Sequence, residues 1–110
     1  MTPAEMNAQW DRENQERFES GLRQMLETVE GRAVIYELTV RAGVGYSAPY
    51  ADSARRTAFL CGRQDLALEV LGEVDKVDPL AWPAILKEAA EIKKLRDQLI
   101  AEATEEMKDD

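Results

Sequence analysis

ADSARRTAFLCGRQDLALEVLGEVDKV, residues 51–77, is the stretch whose reading decides the fold. Its spacing predicts a helix from about Asp52 to Val77, roughly 39 Å long at 1.5 Å per residue. Ala58, Phe59, Leu60, Cys61, Leu66, Leu68, Val70, Leu71, Val74 and Val77 fall on more than one of its faces. A helix apolar most of the way round is expected to be surrounded, so the rest of the chain is read as wrapping on it. Asp52 or Ser53 is the expected N-cap. Gly62 and Gly72 weaken a helix interior and are expected where a neighbouring helix packs close.

Outward from this helix the chain supplies its own punctuation. On the C-terminal side Asp78-Pro79 ends it and opens another helix, with Asp78 as cap, Pro79 at the first helical position and Pro83 kinking the first turn or restarting it near Trp82. Ile85, Leu86, Ala89, Ile92, Leu95, Leu99, Ile100 and Ala103 then form an amphipathic stripe. Residues 91–110 read as a helical extension whose Leu95 and Leu99 suit docking on a sister subunit, and its last few residues are expected to fray. On the N-terminal side GVGYSAPYA, residues 43–51, is a loop set by Gly43, Gly45 and Pro49. Its Tyr46 and Tyr50 either roof the core or present amphipathic aromatics to a partner.

Before the loop, Thr28 is the preferred N-cap of a helix reaching about Ala42, with Glu30 in its first turn. The alternative continues the first helix to Glu30 and ends it at Gly31. That first helix starts near Pro3, capped by Thr2, and carries Met6, Trp10, Phe18, Leu22, Met25 and Leu26. Charged and amide residues fill the interval from Trp10 to Phe18. Residues 1–16 therefore read as a solvated arm that either folds back through Met6 and Trp10 or offers Trp10 to a partner.

Composition bounds the rest. A 110-residue chain that is 45% hydrophobic and 33% charged is expected to form a single helical domain, 1–110. No apolar run approaches the roughly 20 residues of a membrane span, and MTPAEMNAQWDREN lacks the pattern of a signal peptide, so a cytoplasmic, membrane-free protein is expected. With no histidine and one cysteine, neither histidine-based catalysis nor a common metal site nor an internal disulfide is expected, and Cys61 reads as a buried structural thiol. No cofactor is expected. The net charge of −8 divides as −4 over residues 1–30, +1 over 31–72 and −5 over 73–110. Nucleic acid is thereby disfavoured as the main partner. Arg56, Phe59 and Arg63 share one helix face; the two arginines either clamp phosphates or carboxylates or, as preferred, pair with neighbouring acids.

LETVEGRAVIYELTVRAGV at 26–44 and ARRTAFLCGRQDLALEVLGEVDKVDPLAWPAILKEA at 54–89 resemble a family of small proteins of tailed phages, chiefly short-tailed podovirus types, first noted in a Bordetella phage. Thr28, Glu30, Gly31 and Arg32 match its Thr-Pro-Glu-Gly-Arg-like element, with Val29 in place of proline. Gly43, Val44 and Tyr46 fit its glycine-hydrophobic-aromatic loop, and Gly62, Arg63 and Gln64 match a Gly-Arg-Arg-Asn-like element with the second arginine replaced. Asp78, Pro79 and Trp82 match the closing turn, so the resemblance covers about residues 22–90. It implies a gene of the virion structural module and no enzymatic activity.

The expectation is therefore an all-α fold, four helices arranged as antiparallel hairpins around the long central helix at about 52–77. Its function is expected to be that of a structural or assembly component of a tailed-phage virion, met in the host cytoplasm during assembly and then in the particle. Partners are expected to be further copies of the chain and head, portal or ejection proteins, touched through Trp10, Tyr46, Tyr50, Leu95 and Leu99. Gly31, Arg32, Gly62 and Arg63 are expected to serve the fold. Two other classes stay open: a DNA-packaging accessory using Arg55, Arg56 and Arg63, and a small acidic host-directed inhibitor.

Overall fold

The computed structural model describes residues 1–45 and 53–108. They form four helices and no strand: α1 (Pro3–Leu26), α2 (Val29–Arg41), α3 (Ala54–Val77) and α4 (Ala81–Lys108). Local chemistry sets most of their starts. The Thr2 hydroxyl accepts from the Glu5 amide at 3.2 Å, with Pro3 opening α1. The Thr28 hydroxyl accepts from Gly31 at 3.0 Å to open α2, and the Ser53 hydroxyl accepts from Arg56 at 3.2 Å to open α3. Each satisfies one amide that the first turn leaves unbonded. The preferred cap at Thr28 is the one observed, whereas Asp52 lies outside the described residues.

The end of α2 is a left-handed glycine stop. Gly43 has φ +80°, the Val44 amide donates to the Thr39 carbonyl and the Gly43 amide to the Val40 carbonyl, both at 3.0 Å. This pairing satisfies the last carbonyls and turns half-buried Val44 onto the core. The α3–α4 junction differs from expectation. Asp78 caps the end of α3, its carboxylate accepts from the Leu80 amide at 3.0 Å, and α4 begins only at Ala81. An Asx turn at 78–80 thus competes with immediate helix entry, and Pro83 falls in the first turn, where its missing N–H costs no helical bond.

One small core joins all four helices. Leu22 of α1, Ile35 of α2, Leu71 and Val74 of α3, and Ala81 and Ile85 of α4 form it, flanked by half-buried Met25, Leu26, Tyr36, Val77 and Trp82. α2 and α3 each pack against the other three helices. They run antiparallel, since Gln64 in the first half of α3 reaches the Gly43 carbonyl just past the end of α2, while Ile35 further back in α2 shares the core with Leu71 and Val74 near the end of α3. Among the described residues, however, only the C-terminal half of α3 contributes buried side chains, Leu71 and Val74. Phe59, Leu66 and Leu68 stand exposed and Cys61 is half-buried, so the helix is not surrounded along its length and the thiol is not a core group.

The glycine expectation for α3 is likewise overturned, because a Cβ at Gly62 or Gly72 would meet nothing within 4 Å. No helix crosses there, and Gly72→Ala is expected to raise stability by about 1 kcal/mol through helix propensity alone. A rise in the urea midpoint at fixed protein concentration checks it.

The molecule is long, with extents of 77 × 40 × 19 Å and a radius of gyration of 19.8 Å, against about 13 Å for a compact domain of this length. No single helix accounts for that length: α4 covers about 42 Å and α1 about 36 Å. Both overhang the shared core, α1 before Leu22 and α4 beyond Ala89.

Candidate functional site

Two regions compete for attention, a joint that holds the body together and a surface that the body leaves uncovered. The joint lies where α1 meets α2. Arg32 Nε donates to both carboxylate oxygens of Glu88 on α4 at 2.9 and 3.0 Å, and its Nη2 lies 2.9 Å from Oε1. Its Nη1 donates to the Leu26 carbonyl at the end of α1, at 2.7 Å. One guanidinium thus ties α1, α2 and α4, and hydrogen bonding to Glu88, then the charges of Glu88 and Glu30, hold it above its ordinary pKa. On α3, Gln64, which stands where the second arginine of the family element would be, donates to the Gly43 carbonyl at 2.7 Å and closes the end of α2.

These contacts give Thr28, Glu30, Gly31, Arg32 and Gln64 roles in the fold. A lysine cannot serve a carboxylate edge and a carbonyl with one fixed fork. Arg32→Lys is therefore expected to recover only part of the stability lost in Arg32→Ala, and full recovery of the urea midpoint would sink that account.

The uncovered surface is apolar and helical. Along α4 the stripe that is buried at Ala81 and Ile85 and half-buried at Ala89 continues in steps of three and four through Ile92, Leu95 and Leu99, all more than half exposed. Where α4 leaves α2, a notch of about 430 Å³ opens, lined by Val29, Tyr36, Ala89, Ile92, Lys93 and Arg96 among others. A second groove of about 300 Å³, nearly all apolar, runs between α2 and α3 past Leu38, Ala42, Leu66, Ala67 and Val70. Neither depression was legible beforehand. A weak signal existed in Leu38 and Leu66, apolar residues on the two helices that line the second groove.

Trp10 is exposed on the overhang of α1, with the Arg17 guanidinium 5.6 Å from its ring centroid. That overhang is held helical by its own side chains, Gln9 donating to Glu13 at 3.1 Å and Arg17 to Asn14 at 3.0 Å, and Gln15 reaches Glu73 on α3 at 2.9 Å. Leu95 and Leu99 face solvent, whereas Tyr46 and Tyr50 lie outside the described residues. Trp10 and the α4 leucines sit on separate overhangs, so the structure does not gather them into one site.

Arg55, Arg56 and Arg63 are exposed, and among the described residues none of them pairs with a carboxylate. Among the described residues, the preferred pairing of Arg56 and Arg63 with neighbouring acids is not made. Arg63 has Phe59, Leu60, Leu66 and Ala67 three and four positions away, none of them acidic, and its stem lines the α2–α3 groove.

Among the described residues no helix is long and apolar enough to cross a membrane. Set against known families, residues 22–90 match the model described as Bbp19-like phage protein. No curated protein and no solved structure matches the chain. The matched span begins at Leu22, the first core residue, and ends at Ala90, where the exposed part of α4 begins.

Proposed function

The chain belongs to the Bbp19-like phage protein family, and from that premise we propose that it is a non-enzymatic structural or assembly component of the virion. It acts by packing its helices against further copies of itself and against head, portal or ejection proteins. The observation that carries this reading is the surface left uncovered. The chain exposes 8767 Å², where a compact monomer of 12.4 kDa exposes about 6,100 Å². The excess, roughly 2,700 Å², is over three times the roughly 800 Å² that each partner commits to a standard interface. It includes Phe59, Leu66, Ile92, Leu95 and Leu99, which stand in water in the single chain.

Mass spectrometry of purified virions and of assembly intermediates from infected hosts tests the reading. A constant copy number in particles or precursors is the expected result. Absence from both, with the protein abundant in the lysate, would overturn it.

A further inference from the structure

The exposed part of α4 carries more information than its apolar stripe. Residues 91–99 carry Lys93, Lys94 and Arg96 against Glu91 and Asp97, a net +1, and residues 100–108 carry Glu102, Glu105 and Glu106 against Lys108, a net −2. Between and among them run Ile92, Leu95, Leu99, Ile100 and Met107, each more than half exposed. Charge is therefore segregated along the helix axis, over the roughly 27 Å that residues 91–108 occupy.

We propose that α4 pairs antiparallel with α4 of a second copy, about a two-fold axis beside Leu99 and Ile100. The axial charge order selects the direction. A parallel, in-register pair sets Lys93 and Arg96 beside their own copies and Glu102 and Glu106 beside theirs, which repels along the whole contact. The antiparallel pair about that axis brings Lys93 level with Glu106 of the second copy, Lys94 with its Glu105 and Glu91 with its Lys108, and leaves one like-charged level, Asp97 with its Glu102, beside Arg96. Ile92 then meets Met107 of the second copy, at the mouth of the notch that Tyr36, Ala89 and Arg96 help to line. The same contact occurs twice by symmetry, so the assembly closes as a dimer and does not grow into a filament.

This pairing deepens the assembly reading and rests on it for its biological sense. Its test is independent, because it uses the purified full chain. In a Cys61→Ser background, which removes the chain's one thiol, Lys93→Cys and Glu106→Cys chains are prepared separately with distinguishable tags, mixed, and oxidised gently. Both positions are exposed and outside the core. The expected product is the mixed disulfide, with little self-linkage of either chain alone.

Self-linked products of both chains and no mixed one would establish a parallel pair and overturn the proposal. A chain that stays monomeric by light scattering and links nowhere would also overturn it, while leaving the virion result untouched. A second measurement keeps sequence and geometry coupled. Lys93→Glu with Lys94→Glu is expected to weaken the dimer about tenfold or more, and adding Glu105→Lys with Glu106→Lys to restore it. A dimer indifferent to both changes would sink the antiparallel order.

Discussion

Gly31→Ala is expected to lower the stability of the fold by about 2 kcal/mol or more, although the same substitution in an ordinary helix interior raises it by about 1 kcal/mol. The reason is the brevity of the α1–α2 connection. Only Glu27 and Thr28 separate the two helices, and the Thr28 cap fixes the first turn of α2 against the last turn of α1. A Cβ on Gly31 would press into the Met25 carbonyl oxygen and lie 2.7 and 2.8 Å from that residue's carbonyl carbon and Cα. These are backbone atoms, which no rotamer change can clear. The last turn of α1 would have to move, and with it the Leu26 carbonyl held by Arg32 and the core side chains Leu22 and Met25. Overpacking of flexible side chains costs about 1–3 kcal/mol; here the obstruction is rigid and the penalty falls at the upper part of that range or beyond it. Urea unfolding followed by circular dichroism, at one protein concentration for all variants, checks the sign. Equal shifts for Gly31→Ala and Gly72→Ala would show that the close approach does not matter.

How far such features could be read from the chain depends on how local their physics is. The caps at Thr2, Thr28 and Ser53, the helix-opening Pro3 and the glycine stop at Gly43 were legible, because each is decided by residues within one turn of one another. The resemblance over about residues 22–90 was legible for a related reason: its elements are joints, and Thr28, Gly31 and Arg32 sit together at one. The role of Gly31 in particular was not legible, since the atom it must avoid lies on the preceding helix. Covering was the hardest property to foresee. The apolar residues of α3 say which surface needs a neighbour without saying whether this chain supplies it, and Phe59, Leu66 and Leu68 remain exposed. The candidate site suffered from the same ambiguity. Leu95 and Leu99 were legible as a stripe, but the notch beside them is lined from both α2 and α4, and which residues of the two helices meet there is set by their packing, not by either periodicity.

That division along one helix leads to the second large effect. Ile85→Ala is expected to cost about 2–5 kcal/mol, as large-to-small changes at fully buried aliphatic positions do. Ile85 is 1% exposed and shares the core with Val74, which is 0% exposed, so the lost methylenes leave a cavity bounded by all four helices. In a core of six buried side chains the neighbours that could collapse into the space are few. Domains of this size have about 5–15 kcal/mol in total, so the loss is a large fraction of what holds the fold. Leu99→Ala removes a similar group from the same stripe where the side chain is 56% exposed, and it is expected to leave the unfolding midpoint of the single chain within about 0.5 kcal/mol of the parent. The pair of variants, compared by helicity and by solution mass, separates the two uses of α4. Ile85→Ala should lower the midpoint whatever the oligomeric state, because its partners are in the same chain. Leu99→Ala should keep its helicity and, with the proposed α4 pairing, fall from the mass of a dimer to that of a monomer. If both variants unfold alike, the stripe is one continuous intramolecular face and α4 has no separate docking half.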